Sequence, residues 1–470
     1  MSISQLFIFA ALAFLVGRLK KGRSLALLGV SAFIIYWLQA PQEDVTLTFW
    51  FPTATLVVTV LAWLLTSTPD VRGWKQNFPA VAVLVAVVIL VDLNRYFKLD
   101  QILNTATPRI QWLGALIIIL LVFAFLITRF KEYPPVFFII AAIGLMLLFV
   151  LVKMPSGLNL LFEMVSAFRG KAAGGLTAFS WLGFSYVAFR LLHTILDRKA
   201  GRLSPVPLAE YVDYVIFFPS FTAGPIDRLE HFTHDLKEPV TLDRQGWMEA
   251  GSRFFLGMFK KFVIADALAW IALNDVLARQ VSSSAWMWVL LYSYSLRIYF
   301  DFSGYTDIAI GLGRLAGVRL PENFASPYLK QNLTQFWNAW HMTLTQWFRS
   351  YFFNPLTRAM RSSKRQMPAY VMILVAQVST MVLIGLWHGV TAGFVLWGLW
   401  HGTGLFIQNR WSDYMKSHMP AWAETSPGQA LLRYSGIFLT FNFVSLGWLF
   451  FALSSSANVW SVVAVLFGIV

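Results

Sequence analysis

A line of polar side chains runs through the aromatic stretch Thr334–Tyr351, TQFWNAWHMTLTQWFRSY. Its members are three or four positions apart, and they are Thr334, Asn338, His341, Thr345 and Arg349. This spacing places side chains on one face of a helix. It predicts one continuous helix that presents a polar seam to a wet cavity, with a histidine near the middle of the seam.

A second histidine, His388, follows a long apolar run and has Gly385 and Gly389 around it in IGLWHGVTAG. Glycines remove side-chain bulk, so a substrate or a neighbouring helix can approach the imidazole closely. A neutral histidine in a cavity of low dielectric can take the proton of a hydroxyl group as that hydroxyl attacks an acyl carbonyl. His388 and His341 are therefore the candidate catalytic residues.

Two further segments combine polar residues with helix breakers. FFPSFTAGPIDR (217–228) contains prolines and a glycine that interrupt a helix, and YSYSLRIYFDFSGYTDIAIGLG (292–313) carries Asp301 four residues after Arg297. We predict a helix break at Gly304. Asp301 could hold substrate or protons, or it could pair with Arg297 or cap the break. Irregular backbone at membrane depth is tolerated mainly where it is buried in protein or lines a cavity.

The composition requires these segments to sit in a membrane. Hydrophobic residues make up 57% of the 470 residues and charged residues 13%, whereas a soluble domain carries about a quarter charged residues. The apolar runs are long enough to span a bilayer, which takes roughly 20 residues of helix. We expect an all-α polytopic membrane protein with about 11–14 crossing helices and some re-entrant segments.

Charge and cysteine content exclude several classes of function. The chain has no cysteine, which excludes disulfides, thiolate zinc sites and a cysteine nucleophile on the chain itself. The net charge of +14 fits cytoplasmic loops beside anionic membrane lipid. No nucleic-acid-binding motif accompanies the basic residues, so we expect no nucleic-acid partner.

The order of charges also predicts topology. The first apolar run precedes the basic residues Arg18–Arg23, the reverse of a cleaved signal peptide, so we expect an uncleaved first helix. Lysines and arginines concentrate in alternate loops in the pattern expected for an extracytoplasmic N-terminus. Without repeats or linkers, the chain is predicted to form one membrane-embedded unit, with N-terminal transmembrane helices in residues 1–150 and a catalytic core in residues 151–470.

Five segments together resemble the membrane-bound O-acyltransferase family. In order, they are FFPSFTAGPIDR, YSYSLRIYFDFSGYTDIAIGLGRL, PENFASPYLKQNLTQFWNAWHMTL, WFRSYFFNPL and GLWHGVTAGFVLWGLWHG. The nearest branch contains the bacterial alginate O-acetyltransferases and teichoic-acid D-alanyltransferases, and the resemblance covers about residues 176–453. It implies a helical core around a transmembrane tunnel, with the donor entering from the cytoplasm and the acceptor from the other side of the bacterial cytoplasmic membrane.

The resemblance also implies roles for the two histidines. His388 matches the essential histidine of the family, and His341 matches a second polar position, which is histidine in this branch. Asn338 and Ala339 stand where branch members carry two basic residues, and Ala452 stands where arginine is common. These departures leave the identity of the substrate open.

The expected function is an O-acyltransferase, with acetyl the expected acyl group. His388 would be the general base, and His341 would orient the acyl group or stabilise the oxyanion. The expected substrate contacts are Asn338, Thr345, Arg349, Asp301 and Trp387. We expect no metal and no tightly bound cofactor. Acetyl-CoA or another acyl thioester would be the donor substrate. The expected partners are an extracytoplasmic acetyl-relay or polysaccharide-modifying protein, and membrane lipid.

Two alternatives stay open at this stage. Within the same class, the chain could transfer D-alanine from a carrier protein to teichoic acid. In a different class, it could be a lipid or sugar transporter or flippase, although transporters often show inverted repeats, which the sequence lacks.

Of the other histidines, His401 is expected to be a packing residue. A metal site at His231 and His234 is disfavoured because the loop offers no further ligands.

Overall fold

The computed structural model describes residues 2–39, 47–97, 105, 107–128, 133–154, 157, 181–238, 243–363 and 367–469. Helices dominate these ranges, and the described residues include no strand, only an isolated bridge between Phe324 and Trp340. The all-α class predicted from the sequence is confirmed.

The helices in chain order are α1 (Ile3–Gly17), α2 (Arg23–Leu38), α3 (Leu47–Thr66), α4 (Trp74–Asp92), α5 (Asn94–Phe97), α6 (Ile110–Thr128), α7 (Pro135–Lys153), α8 (Phe184–Lys199), α9 (Leu208–Ile216), α10 (Leu229–Lys237), α11 (Arg244–Phe259), α12 (Asp266–Ala269), α13 (Asp275–Gln280), α14 (Ser284–Ala316), α15 (Leu333–Trp337), α16 (Met342–Phe348), α17 (Asn354–Arg361), α18 (Ala369–His388), α19 (Ala392–Ser417), α20 (Ser426–Gly447), α21 (Leu449–Ala452) and α22 (Ser456–Leu466). Short π-helical turns, Lys260–Ala265 and Arg349–Phe353, follow α11 and α16, and 3₁₀ turns lie at Pro327–Leu329 and Ala421–Glu424.

Several helices are long and apolar enough to cross a membrane, so the chain is a multi-pass membrane protein. Among the described residues, six helical segments meet this criterion: α3, α4, α6, α7, α18 and the segment Ser426–Ala452 that contains α20 and α21. Six is fewer than the number predicted, and the criterion leaves out shorter apolar helices such as α1 and α2.

The chain divides into two compact units. The first comprises Met1–Phe254 and Ile308–Pro321, and the second comprises Phe255–Asp307 and Glu322–Val470. The division into residues 1–150 and 151–470 stays a prediction. Both candidate histidines belong to the second unit.

In the first unit, one buried arginine forms hydrogen bonds both to the last turn of α9 and to the irregular backbone that follows it. Arg190 donates from Nη1 to the carbonyl oxygens of Tyr214 and Val215, at 3.2 and 2.8 Å, and from Nη2 to the carbonyl and hydroxyl oxygens of Ser220, at 3.1 and 2.7 Å. Because unpaired backbone groups in an apolar interior are costly, this arginine makes the predicted helix break in residues 217–228 tolerable.

In the second unit, the predicted break at Gly304 is wrong, because α14 runs without interruption from Ser284 to Ala316. A side chain at position 304 would meet backbone atoms of Gly257 and Lys261 at 2.8 and 2.9 Å. Because Gly304 has no side chain, α14 can pack closely against the segment that contains Gly257 and Lys261. The helix accepts it at a cost of about 1 kcal/mol.

Close packing also joins α18 to α19 in the second unit. Gly398 and Gly402 lie one turn apart on α19, and a Cβ on either residue would overlap the backbone of α18 at Val382 or Val378. A Cβ on Gly385 of α18 would in turn overlap the carbonyl oxygen of Phe394. The prediction that glycine beside His388 admits a neighbouring helix is confirmed.

Gly398→Ala should destabilise the protein, although alanine is the better helix former. The new methyl group would lie 2.5 Å from Val382 Cα, and overpacking of this kind costs about 1–3 kcal/mol. We expect a lower Tm of the purified protein in detergent. Gly144→Ala is the matched control, because the space around Gly144 on α7 is open. An equal Tm for the two variants would contradict the packing argument.

Candidate active site

The polar stretch that contains His341 forms two short helices instead of one. α15 ends at Trp337 and α16 begins at Met342, and His341 between them has left-handed backbone angles, φ +42° and ψ +54°. The predicted continuous helix over 334–351 is wrong. A residue with a Cβ adopts this conformation only when its surroundings hold it there.

Asn323 supplies the hydrogen bonds that hold this turn. Its backbone carbonyl accepts from the N–H of Met342 at 3.0 Å. Its side-chain oxygen accepts from the backbone N–H of Thr343 at 3.1 Å, from the Thr343 hydroxyl at 2.9 Å and from His341 Nδ1 at 3.1 Å. Asn323 is fully buried. These bonds offset the cost of the left-handed residue and end α15 before His341.

The same contacts determine which nitrogen of His341 carries hydrogen. A backbone N–H can only donate, so the Asn323 atom beside Thr343 must be the amide oxygen. An oxygen that accepts from His341 Nδ1 requires a hydrogen on Nδ1. Nε2 then presents a lone pair, and this buried atom meets no partner among the described residues. Burial favours the uncharged form of such a ring.

His388 ends α18 among aromatic rings of the second unit. Its ring centroid lies 4.7 Å from that of Phe451 and 5.8 Å from that of Phe394, which α19 contributes. Trp387 packs against both histidines, with ring centroids 4.4 Å from His388 and 6.0 Å from His341. The structure thus brings the two catalytic candidates to the same aromatic residue, which the sequence proposed as a substrate contact.

Both histidines line one small cavity, which we call the inner cavity. Its volume is about 40 Å³, and the other residues around it are Ile298, Phe302, Trp337, Trp340, Leu344, Thr345, Ile384, Trp397, Trp448 and Phe451. A cavity needs roughly 10–15 Å³ of volume to hold one water-sized group. About three such groups therefore fit in the inner cavity. The lining is mostly apolar, so polar groups inside it interact strongly.

A second and more polar cavity adjoins the first, and we call it the outer cavity. Its volume is about 170 Å³, and it shares Trp337, Thr345 and Ile384 with the inner cavity. Its polar side chains are Thr334, Asn338, Thr345, Arg349, Gln377, Thr380 and Asn409. Arg349 Nη2 donates to Asn338 Oδ1 at 2.6 Å. The predicted seam therefore lines two cavities with shared wall residues even though its helix is broken.

Asp301 lies apart from this group. Lys261 Nζ donates to Asp301 Oδ1 at 2.5 Å, and Lys260 pairs with Asp307 at 2.6 Å. Neither aspartate is among the residues that line the two cavities. The ion pair uses Lys261 instead of the predicted Arg297, because the π-helical turn after α11 brings the two lysines against α14.

Two indole N–H groups at the inner cavity have no acceptor in the part of the chain that the structure describes. They belong to Trp337 and Trp397, and both are buried. Trp448, in the same lining, donates from Nε1 to the Tyr328 hydroxyl at 3.2 Å. The sequence analysis gave no role to Trp337, Trp397 or Asn323, although the motif PENFASPY contains Asn323. The fully buried His401 packs against Trp337 and Trp397, as expected.

Residues 6–450 match the model of the membrane-bound O-acyltransferase family, which is nearly the whole chain. The chain belongs to the membrane-bound O-acyltransferase family. Its two cavity histidines lie within the matched range, as do the polar residues of the outer cavity.

Curated relatives of this membrane-bound O-acyltransferase transfer different acyl groups. A teichoic acid D-alanyltransferase of Streptococcus thermophilus is 30% identical over 289 residues, which cover 59% of this chain and 70% of the relative. A probable alginate O-acetylase of Azotobacter vinelandii is 35% identical, covering 48% and 44% of the two chains. A peptidoglycan O-acetyltransferase of Helicobacter pylori is 32% identical, covering 56% and 47%. The chain is an acyltransferase, and its relatives favour this class over the transporter alternative.

Proposed function

We propose that the protein moves an acetyl group from a cytoplasmic thioester donor, such as acetyl-CoA, to hydroxyl groups of an extracytoplasmic polysaccharide. Transfer would be direct or through a partner protein, in the bacterial cytoplasmic membrane. The observation that carries the proposal is the pair of histidines, His341 and His388, on one inner cavity of about 40 Å³. No step of the proposed reaction needs a metal or a tightly bound cofactor.

The size and lining of the inner cavity favour acetyl over D-alanyl. Room for about three water-sized groups suits an acetyl group. A D-alanyl group is larger and carries an ammonium, which is costly to bury without a partner of opposite charge. The described residues that line the inner cavity include no aspartate or glutamate. D-alanyl transfer remains the second candidate, because the relative from Streptococcus thermophilus carries that name.

The reaction joins the hydroxyl oxygen to the acyl carbon and breaks the bond from that carbon to sulfur. A histidine of the inner cavity takes the hydroxyl proton, and the sequence motif favours His388 for this role. The oxyanion requires hydrogen-bond donors. His341 has its lone pair at Nε2, so it does not suit the oxyanion contact expected of it. The unpaired indole N–H groups of Trp337 and Trp397 suit that role.

The outer cavity suits the polar part of the donor. Arg349 and Asn338 lie hydrogen-bonded to each other there, and Arg349 is exposed. A guanidinium attracts anionic groups such as the phosphates of a thioester carrier. The change from a polar outer cavity to an apolar inner cavity would orient such a donor with its acyl group towards the two histidines.

His388→Ala and His341→Ala should each lower the turnover of acetyl-CoA at least about 100-fold, the contribution of a positioned acid–base group. We would reconstitute the protein in liposomes with labelled acetyl-CoA on one side, and measure thioester consumption and label transfer. His418→Ala is the control, because His418 is exposed at the end of α19. Wild-type turnover in His388→Ala would remove that residue from the mechanism. If the wild type consumes no acetyl-CoA but consumes a D-alanyl carrier, the second candidate function is correct.

Trp337→Phe and Trp397→Phe should lower kcat by about 100-fold, as for loss of an oxyanion donor, with little change in KM. The charge develops only in the transition state, so substrate binding should be preserved. Trp448→Phe is the matched control, since it makes the same change in the same lining but its N–H already has the Tyr328 hydroxyl as acceptor. Equal effects of all three substitutions on kcat would point to packing alone.

A further inference from the structure

The first unit contains a long cavity between three apolar helices, and we call it the first-unit cavity. Its volume is about 550 Å³, and its walls are mainly residues 53–64 of α3, 74–88 of α4 and 113–125 of α6. Within each range, most of the lining positions are three or four residues apart, as on one face of a helix. Three helices thus turn an apolar face towards a common space that their side chains leave unfilled.

The surroundings of α6 indicate the medium next to this cavity. Of the α6 residues whose burial the structure describes, only Leu113 is buried, and Ile118 and Ile119 on the side away from the cavity are each 63% exposed. A helix that is apolar on all sides is stable only in a protein core or in a membrane. The medium around α6 is therefore hydrocarbon, which is also the medium that the apolar cavity walls favour.

The polar groups along the walls are already bonded within the protein. The Thr53 hydroxyl donates to a carbonyl of its own helix at 2.7 Å, and Trp63 Nε1 donates to the carbonyl of Val206 at 3.0 Å. Asn77 Nδ2 donates to the carbonyl of Val71 at 2.7 Å. A buried water needs two to four polar partners, and the cost of an empty apolar cavity grows with its volume. An apolar occupant therefore suits this space better than water or a void.

One end of the first-unit cavity carries positive charge. Arg72, in the loop between α3 and α4, lines this end and donates to the carbonyl and hydroxyl oxygens of Ser67 at 2.6 and 3.0 Å. Burial lowers the pKa of Arg72, the nearby Tyr133 opposes this change, and the positive charge of Arg198 adds to it. Trp74 lines the same end and is 59% exposed, as is common where hydrocarbon meets water. Two neighbouring cations favour an anion beside them, and guanidinium groups bind phosphate particularly well.

We propose that the first-unit cavity binds one membrane phospholipid, with its acyl chains between α3, α4 and α6 and its phosphate beside Arg72. The lining ranges are about 16–21 Å long at 1.5 Å per residue, and one leaflet supplies half of a hydrocarbon core of about 30 Å. The cavity therefore matches the length of the acyl chains in one leaflet. A transmembrane helix of about 20 residues would fill roughly 2,400–3,400 Å³ as a cylinder, several times the volume present. This site does not depend on the proposed acyl transfer, because its walls belong to the first unit.

Photolabelling tests the occupant directly. Purified protein in detergent would be incubated with phosphatidylglycerol that carries a diazirine in its acyl chain, irradiated, digested and analysed by mass spectrometry. We expect label on the cavity walls of α3 and α4. Ile117→Trp should abolish that label, because Ile117 lines the cavity and the larger ring would occupy the space of the chains. Ile119→Trp is the matched control, since it makes the same change on the outer face of α6, where Ile119 is 63% exposed.

Three outcomes would overturn the proposal. One is the absence of label on α3 and α4 in the wild type, and another is equal labelling of the two variants when thermal unfolding shows that both are folded. The third is a wild type that binds no lipid and forms a dimer in gel filtration that Ile117→Trp dissociates, because the cavity would then be an interface between copies of the chain.

Thermal unfolding tests the phosphate contact. A ligand that binds only the folded protein raises the Tm. Dioleoyl phosphatidylglycerol should therefore raise the Tm of the wild type in detergent more than oleyl alcohol does, which has the same chain but no phosphate. Arg72→Gln should remove the difference between the two additives, whereas Lys75→Gln should keep it, because Lys75 is exposed and outside the cavity lining. Equal Tm values with the two additives in the wild type would refute the contact with Arg72, and no rise with either would refute the lipid site.

Discussion

A polar group buried in apolar surroundings must be paired, and the side-chain oxygen of Asn323 meets this requirement with three donors at once. The pairing starts α16, holds His341 in its left-handed conformation and orients the imidazole ring. The local backbone and the candidate chemistry therefore depend on the same hydrogen bonds.

Helix packing brings the second histidine to the same cavity. Glycines on α18 and α19 let the two backbones touch, so the aromatic residues at the end of this pair, among them Phe394 and Trp397, close around His388. Such packing leaves a cavity of only about 40 Å³. In a small space with mostly apolar walls, hydrogen bonds and charges act at low dielectric, where their strength is greatest. The close packing of α18 and α19 therefore also strengthens the polar interactions of groups inside the inner cavity.

Charged side chains are paired in different ways on α14 and in the outer cavity. Lys260 and Lys261 pair with aspartates of α14, which avoids isolated charges on helices of a membrane protein. In the outer cavity, the cation of Arg349 has an amide as partner and stays exposed. The first arrangement satisfies charges within the protein, while the second leaves a cation available to a substrate. This contrast separates the polar residues of the fold from those suited to binding.

The sequence by itself determined the membrane class and the acyltransferase family, and it named His341 and His388 as the candidate pair, because apolar runs, helical spacing and motif order are local properties of the chain. It also anticipated that Thr345 and Arg349 share a cavity. Tertiary structure decided the rest. The break before His341 and the tautomer of its ring depend on Asn323, 18 residues away, and Gly304 stays helical because another segment packs on it. Contacts between distant residues leave no periodic signal in a sequence.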